Sequence, residues 1–162
     1  MHVRLTFATL CATLLLPAAS APAADNPVVG GAPVPASGGT RVLDRKAAQR
    51  LLANKGLTLQ WIDWNTRGTA RVRADSKGWT LRGSQVAKGG PGRLELDGRI
   101  TEIGSDYFIF VGRISITDTP DAGRSCVKDK EWRFAITQNR PYYRMREFEW
   151  CDDLTDYIDL HF

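Results

Sequence analysis

The chain has 162 residues, a net charge of +4 at pH 7, 25% charged residues and only two histidines. That length points to one domain, and an apolar content of 43% sets the chain apart from disordered ones. Three cysteines and two histidines leave little for multi-metal centres or histidine-based acid–base machinery.

The chain opens with a basic start, Met1 to Arg4, and an apolar stretch from Leu5 to Leu16. Pro17 then introduces the small residues AASAPAA. This is the layout of a secretory signal peptide over 1–23, with Ala21 and Ala23 at the two small positions before the cut. The apolar core is short for a bilayer span of about 20 residues, so no integral membrane span is expected. The predicted location is the periplasm or the exterior. Removing Arg4 with the leader lowers the net charge by one. From 25 to 124 there are fifteen basic and ten acidic residues, and from 125 to the end six and eight. A basic body could meet anionic surfaces such as lipopolysaccharide or nucleic acid, and the exported destination argues against a nucleic-acid partner.

Residues 24–40 are rich in Pro and Gly and read as a flexible linker, leaving 41–162 as a single folded domain. Asp44 is placed to cap a helix of about ten residues, with Ala47, Ala48, Leu51 and Leu52 on one stripe and Gly56 after its end. Beyond it the pattern alternates. Leu57-Leu59-Trp61, Ala70-Val72-Ala74, Trp79-Leu81, the two arms of Leu94–Ile116, Trp132-Phe134-Ile136, Tyr142 to Trp150 and Ile158-Leu160-Phe162 give eight candidate strands. Short turns between them predict an antiparallel meander, all-β, closing into a small barrel of lipocalin or avidin type, with an OB-like barrel as the second choice.

Gly98-Arg99-Ile100 returns as Gly112-Arg113-Ile114 in the central hairpin. A three-residue loop, Gly104-Ser105-Asp106, sets Ile103 opposite Tyr107, Ile100 opposite Phe110, Gly98 opposite Gly112 and Leu96 opposite Ile114, so one face is apolar. Paired glycines leave a gap where strands coil or a large side chain rests on bare backbone. Trp61, Trp79 and Trp132 are the candidates to fill it, unless a ligand does.

With the leader removed, Cys126 and Cys151 remain, and in an oxidising compartment they are expected to pair at the base of the following hairpin. A loop of that size predicts roughly 3–4 kcal/mol in the chain-entropy model.

His161, expected on an exposed face, is the one histidine available to a Ser-His-acid triad. The sequence carries no nucleophile elbow, zinc-helix or phosphate-loop motif. Glu147, Glu149, Asp152, Asp153, Asp156 and Asp159 could supply the paired carboxylates of a carbohydrate-active hydrolase. Their spacing matches no calcium loop, so no metal, cofactor or catalytic residue is assigned. The stretch LDGRITEI resembles strands of periplasmic OB-fold proteins. The ending CDDLTDYIDLHF, with its upstream Tyr-Tyr-Arg, resembles small exported bacterial β-rich proteins of unassigned function over about the last sixty residues. The expected function is non-enzymatic binding, of a small apolar molecule inside the barrel or of an exported protein outside it. The expected ligand-binding residues are Trp61, Trp79, Phe110, Tyr142, Tyr143 and Arg144.

Overall fold

The computed structural model describes residues 39–162. The predicted leader and almost all of the predicted linker lie outside the described residues. Thr40, assigned to that linker, is already held: its hydroxyl donates to the Ile100 carbonyl and accepts the Trp79 N–H at 2.8 Å.

The elements run β1 (Arg41–Val42), α1 (Arg45–Leu52), β2 (Leu57–Leu59), β3 (Thr69–Asp75), β4 (Gly78–Val86), β5 (Arg93–Ile103), β6 (Tyr107–Thr117), β7 (Ser125–Ala135), β8 (Tyr142–Met145) and β9 (Ile158–His161). One sheet orders its strands β2-β9-β8-β7-β6-β5-β4-β3, every neighbouring pair antiparallel. Leu57 of β2 then bridges Gly68, just ahead of β3, through a pair of backbone hydrogen bonds. The sheet is therefore nearly closed into an eight-stranded up-and-down barrel, with short β1 parallel to the end of β5 that β4 does not reach. The predicted all-β barrel is correct.

The seam needs glycine. A Cβ on Gly68 would lie 2.1 Å from the Ser84 carbonyl oxygen, and one on Gly83 would lie 2.3 Å from the Leu57 side chain. Gln85 completes the closure from β4. Its carbonyl accepts the Leu59 N–H at 2.6 Å, and its amide donates to the carbonyls of Asp63 and Thr66 at 2.8 Å.

The central hairpin pairs Gly98 with Gly112, Ile100 with Phe110, Leu96 with Ile114 and Leu94 with Ile116, as the alternation predicts. The turn differs. Gly104 N–H donates to the Tyr107 carbonyl at 2.9 Å, leaving Ser105 and Asp106 at the tip. Ile103 faces Phe108, and an irregularity between Ile100 and Glu102 absorbs the extra residue. A bulge and a tighter turn thus give the register that a three-residue loop would have given. The filler of the glycine gap is Phe110, whose ring atoms lie 2.7–3.0 Å from where the two Cβ atoms would be. Trp132 contributes differently, donating its indole N–H to the Gly112 carbonyl at 2.9 Å.

Aromatic rings pack against one another in the interior. Phe108 stacks on Phe134 at 4.9 Å, Tyr143 meets Phe108 edge-on at 5.2 Å, and Phe110 meets Phe134 at 6.4 Å. Helix α1 closes one end. Asp44 caps it by accepting the Ala47 N–H at 2.7 Å, and Ala47, Ala48 and Leu51 are buried. The helix stops at Leu52, which is 48% exposed and not docked as predicted. Arg50 fixes the helix to the sheet by donating to the Tyr143 hydroxyl at 3.1 Å and lying over the Phe162 ring at 4.8 Å.

Two predicted strands are shorter in fact. Trp61 lies beyond β2 in a turn, and β8 ends at Met145 rather than continuing to Trp150. The following loop instead runs beside β7, held by Arg146 N–H to the Arg133 carbonyl at 2.8 Å and by Lys130–Glu147. Cys126 and Cys151 form the disulfide, with Cα atoms 5.7 Å apart. It ties the loop after β8 to the start of β7. Among the described residues no helix is long and apolar enough to cross a membrane.

Candidate functional site

Alternation along β8 divides the expected ligand-binding residues. Tyr143 turns inward and is fully buried, as is Phe110 on β6. Trp79 is half-buried near the helix-capped end, opposite Ile100. Trp61 is half-buried among the loops of the other end, its indole N–H donating to Asp156 at 3.0 Å. Trp79 and Phe110 stand in one register row on either side of Ile100, and Trp61 lies apart from them. Tyr142 and Arg144 point outward together, and around them the chain assembles a surface.

Arg144 forms a bidentate pair with Asp159 on adjacent β9, both bonds 2.7 Å. The carboxylate is 1% and the guanidinium 12% exposed. Three rings surround the guanidinium: Tyr157 at 4.2 Å, Tyr142 at 5.1 Å and Trp64 at 5.6 Å. The pattern continues on both sides. Arg140 lies 5.9 Å from the Tyr142 ring, Tyr157 meets Phe148 edge-on at 5.1 Å, and Arg146 lies 5.0 Å from Phe148. The result is a ladder of alternating arginine and aromatic side chains on the outside of the barrel, with Trp64 44% exposed. The hydrogen bonds and charge of Asp159 hold the Arg144 guanidinium firmly protonated against the opposing effect of burial. Tyr157 was missed in the sequence because it sits in a loop, where no periodicity marks it, and Trp64 stood out there only as one of the tryptophans that accompany the arginines of the basic body. A further signal is the aromatic-rich composition of the two loops flanking β2 and β9.

His161, predicted exposed, is buried, with 9% exposure. Its side chain does point out of the barrel, as alternation requires. Its Nε2 lies 2.9 Å from the hydroxyl of Thr58, which is fully buried, and Tyr142 packs on its ring at 5.4 Å. Burial, then the charge of Arg67, pushes the imidazole below its usual value. A hydroxyl with no exposure offers no approach to a substrate, so this pair is structural.

Three of the acidic stretch, Asp152, Asp156 and Asp159, are paired with arginine. Arg124, 6% exposed, donates to both oxygens of Asp152 at 2.9 Å and of Asp156 at 3.0 Å. Asp156 is fully buried and also receives the Trp61 indole. The Thr119 hydroxyl donates to the Trp61 carbonyl at 2.8 Å, and Arg124 donates to the Thr119 carbonyl at 3.1 Å. This knot closes the second end of the barrel. The Arg124 hydrogen bonds hold the Asp152 carboxyl below the usual range. Cys126, Cys151 and Asp152 cluster closely, but both sulfurs are committed to the disulfide and offer no thiolate to a metal.

No solved structure matches the chain. It is similar to the uncharacterized protein PM1083 of Pasteurella multocida (strain Pm70), 33% identical over 119 residues that make up 72% of this chain and 76% of the relative. The PM1083 family matches residues 39–162, the whole of the described barrel. The chain belongs to the PM1083 family.

Proposed function

We propose that the chain is an exported, non-catalytic binding protein that holds an exported protein partner on the outside of its barrel. One observation carries this reading. Buried aromatic rings pack in the interior, whereas the arginine–aromatic ladder around Arg144 stands on the outer wall with Trp64 exposed. Trp, Tyr and Arg dominate the energetics of protein interfaces because they desolvate large areas at low entropic cost. Here the guanidinium is already fixed by Asp159, so little ordering remains to oppose association.

The rival reading, an exported carbohydrate-active hydrolase, requires one carboxyl held protonated as an acid beside a second that stays ionised. Asp152 and Asp156 share one arginine, and Asp152 is shifted in the wrong direction for an acid.

The test places a photoreactive amino acid at Trp64, and a second at Val86 on a different wall, in protein expressed in its native exported fraction. A single protein cross-linked at 64, absent at 86 and lost with Tyr142→Ser, is expected. A stoichiometric apolar small molecule in the intact-mass spectrum of the untreated protein would overturn the reading.

A further inference from the structure

The wall across the barrel from β8 carries an independent feature. β4 lies four strands round the sheet from β8. On the outer face of β3, β4 and β5 the register sets two rows side by side. One reads Arg71, Arg82, Asp97, and the other reads Arg73, Thr80, Arg99. These residues line one shallow groove of about 490 Å³, with Asp75 at its margin.

The arrangement is costly without an occupant. Arg71 stands directly opposite Arg82, and like charges in that position oppose strand pairing. Asp97 relieves Arg82 through a single contact of 3.1 Å, with both side chains mostly exposed. Among the described residues no carboxylate lies within ion-pair distance of Arg71, Arg73 or Arg99. Charge on an edge strand discourages aggregation, which would account for Arg71 and Arg73 on β3. It does not account for Arg82 and Arg99, whose strands are paired on both sides.

The shape supplies the rest. Thr80 is short beside the arginines on either side of it, so it forms a floor. Arg73 and Arg99 flank it one strand away on either side, roughly 10 Å apart at their backbones, and Arg82 stands two residues along. We infer that this groove is a binding site for a phosphomonoester dianion, seated on the Thr80 hydroxyl and gripped by Arg73, Arg82 and Arg99. Each guanidinium presents a fork that fits two oxygens of a tetrahedral anion. A carboxylate would satisfy one fork and leave the others unpaired. The phosphoryl group could belong to a soluble molecule or to a lipid headgroup. The site does not depend on the protein-binding ladder.

The experiment titrates the full chain with inorganic phosphate and pyrophosphate by calorimetry at fixed ionic strength. In parallel it measures co-sedimentation with phosphatidylcholine vesicles, with and without phosphatidic acid. Saturable binding is expected in at least one arm, weakened about tenfold or more by the double variant Arg73→Gln/Arg99→Gln and by Thr80→Glu. Arg93→Gln, on β5 but outside the groove, should bind as the parent does. Urea midpoints verify that each variant is folded. Binding to soluble anions alone assigns a soluble ligand, and binding to phosphatidic acid vesicles alone assigns a headgroup. No binding in either arm, an equal loss in Arg93→Gln, or displacement by chloride as effective as by sulfate at matched ionic strength would overturn the site.

Discussion

His161 has a consequence for pH. Its ring is held between the Thr58 hydroxyl and Tyr142, with the charges of Arg67 and Arg144 opposing protonation and Asp159 favouring it. The balance, led by burial, lowers the folded pKa below its ordinary value of 6.5. The unfolded chain therefore takes up the proton first as pH falls, and stability is drained from about pH 6.5 downward until the folded imidazole is also protonated. Glu102 is held low by the Tyr107 hydroxyl and Asp152 by Arg124, so the stabilising effect of those carboxyls is full above the ordinary carboxylate range and is lost as pH falls through that range and below it. Between about pH 8 and 5.5 the histidine should act alone. The urea midpoint of the parent is expected to fall across that interval, and that of His161→Gln to stay level. An identical slope in both would show that another group is responsible. Alternation along the strand predicts the direction of this side chain correctly. It does not predict its burial, because the Thr58 hydroxyl and Tyr142 reach it from other strands.

The central hairpin is the element where sequence and structure agree most closely, and the reason is physical. A one-residue slip would turn Leu94, Leu96, Ile100, Phe110, Ile114 and Ile116 out of the core, so the pattern itself selects the register. The turn was less legible, since a bulge trades one residue between loop and strand without disturbing the apolar face. The glycine pair tests the element directly. A Cβ at Gly98 would lie 2.4 Å from the Val111 carbonyl oxygen and 2.7 Å from Gly112 Cα, both backbone atoms with no rotamer to yield. Gly98→Ala is expected to cost about 2–3 kcal/mol through forced separation of β5 from β6, read as a lowered urea midpoint at unchanged slope. The alanine variant of Gly104, whose added methyl would have Tyr107 ring atoms as its three nearest neighbours, should cost less because that ring can move. Equal losses at the two positions would mean that the close approach of the strands is not what the glycines provide. The strand after Tyr142 misled for the opposite reason. Its apolar spacing continues past Met145, but Lys130, Arg133 and the disulfide hold the segment as a loop along β7.

At the scale of the molecule, the two ends of the barrel are covered by groups that differ in kind. Helix α1 seals one end mainly by burying Ala47, Ala48 and Leu51. The other end is sealed by charge, with Arg124 joining Asp152, Asp156 and the Thr119 carbonyl, and Asp156 joining Trp61. None of this second seal was legible in the sequence, where Arg124 and the acidic stretch lie 28 and 32 positions apart along the chain. Only the closing of the barrel brings them together. Arg124→Gln leaves the fully buried Asp156 without its counter-charge, a change expected to cost about 3–5 kcal/mol. The loss should be local before it is global. Amide exchange is expected to accelerate in the loops 60–68 and 146–157, while β5 and β6, paired along their whole lengths, remain protected. An environment-sensitive apolar dye should give no signal with the parent and a measurable one with the variant, since the loops then uncover Trp132 and Trp150. If the parent itself takes up the dye at native pH, the interior is open, and the placement of binding on the outer walls fails with it.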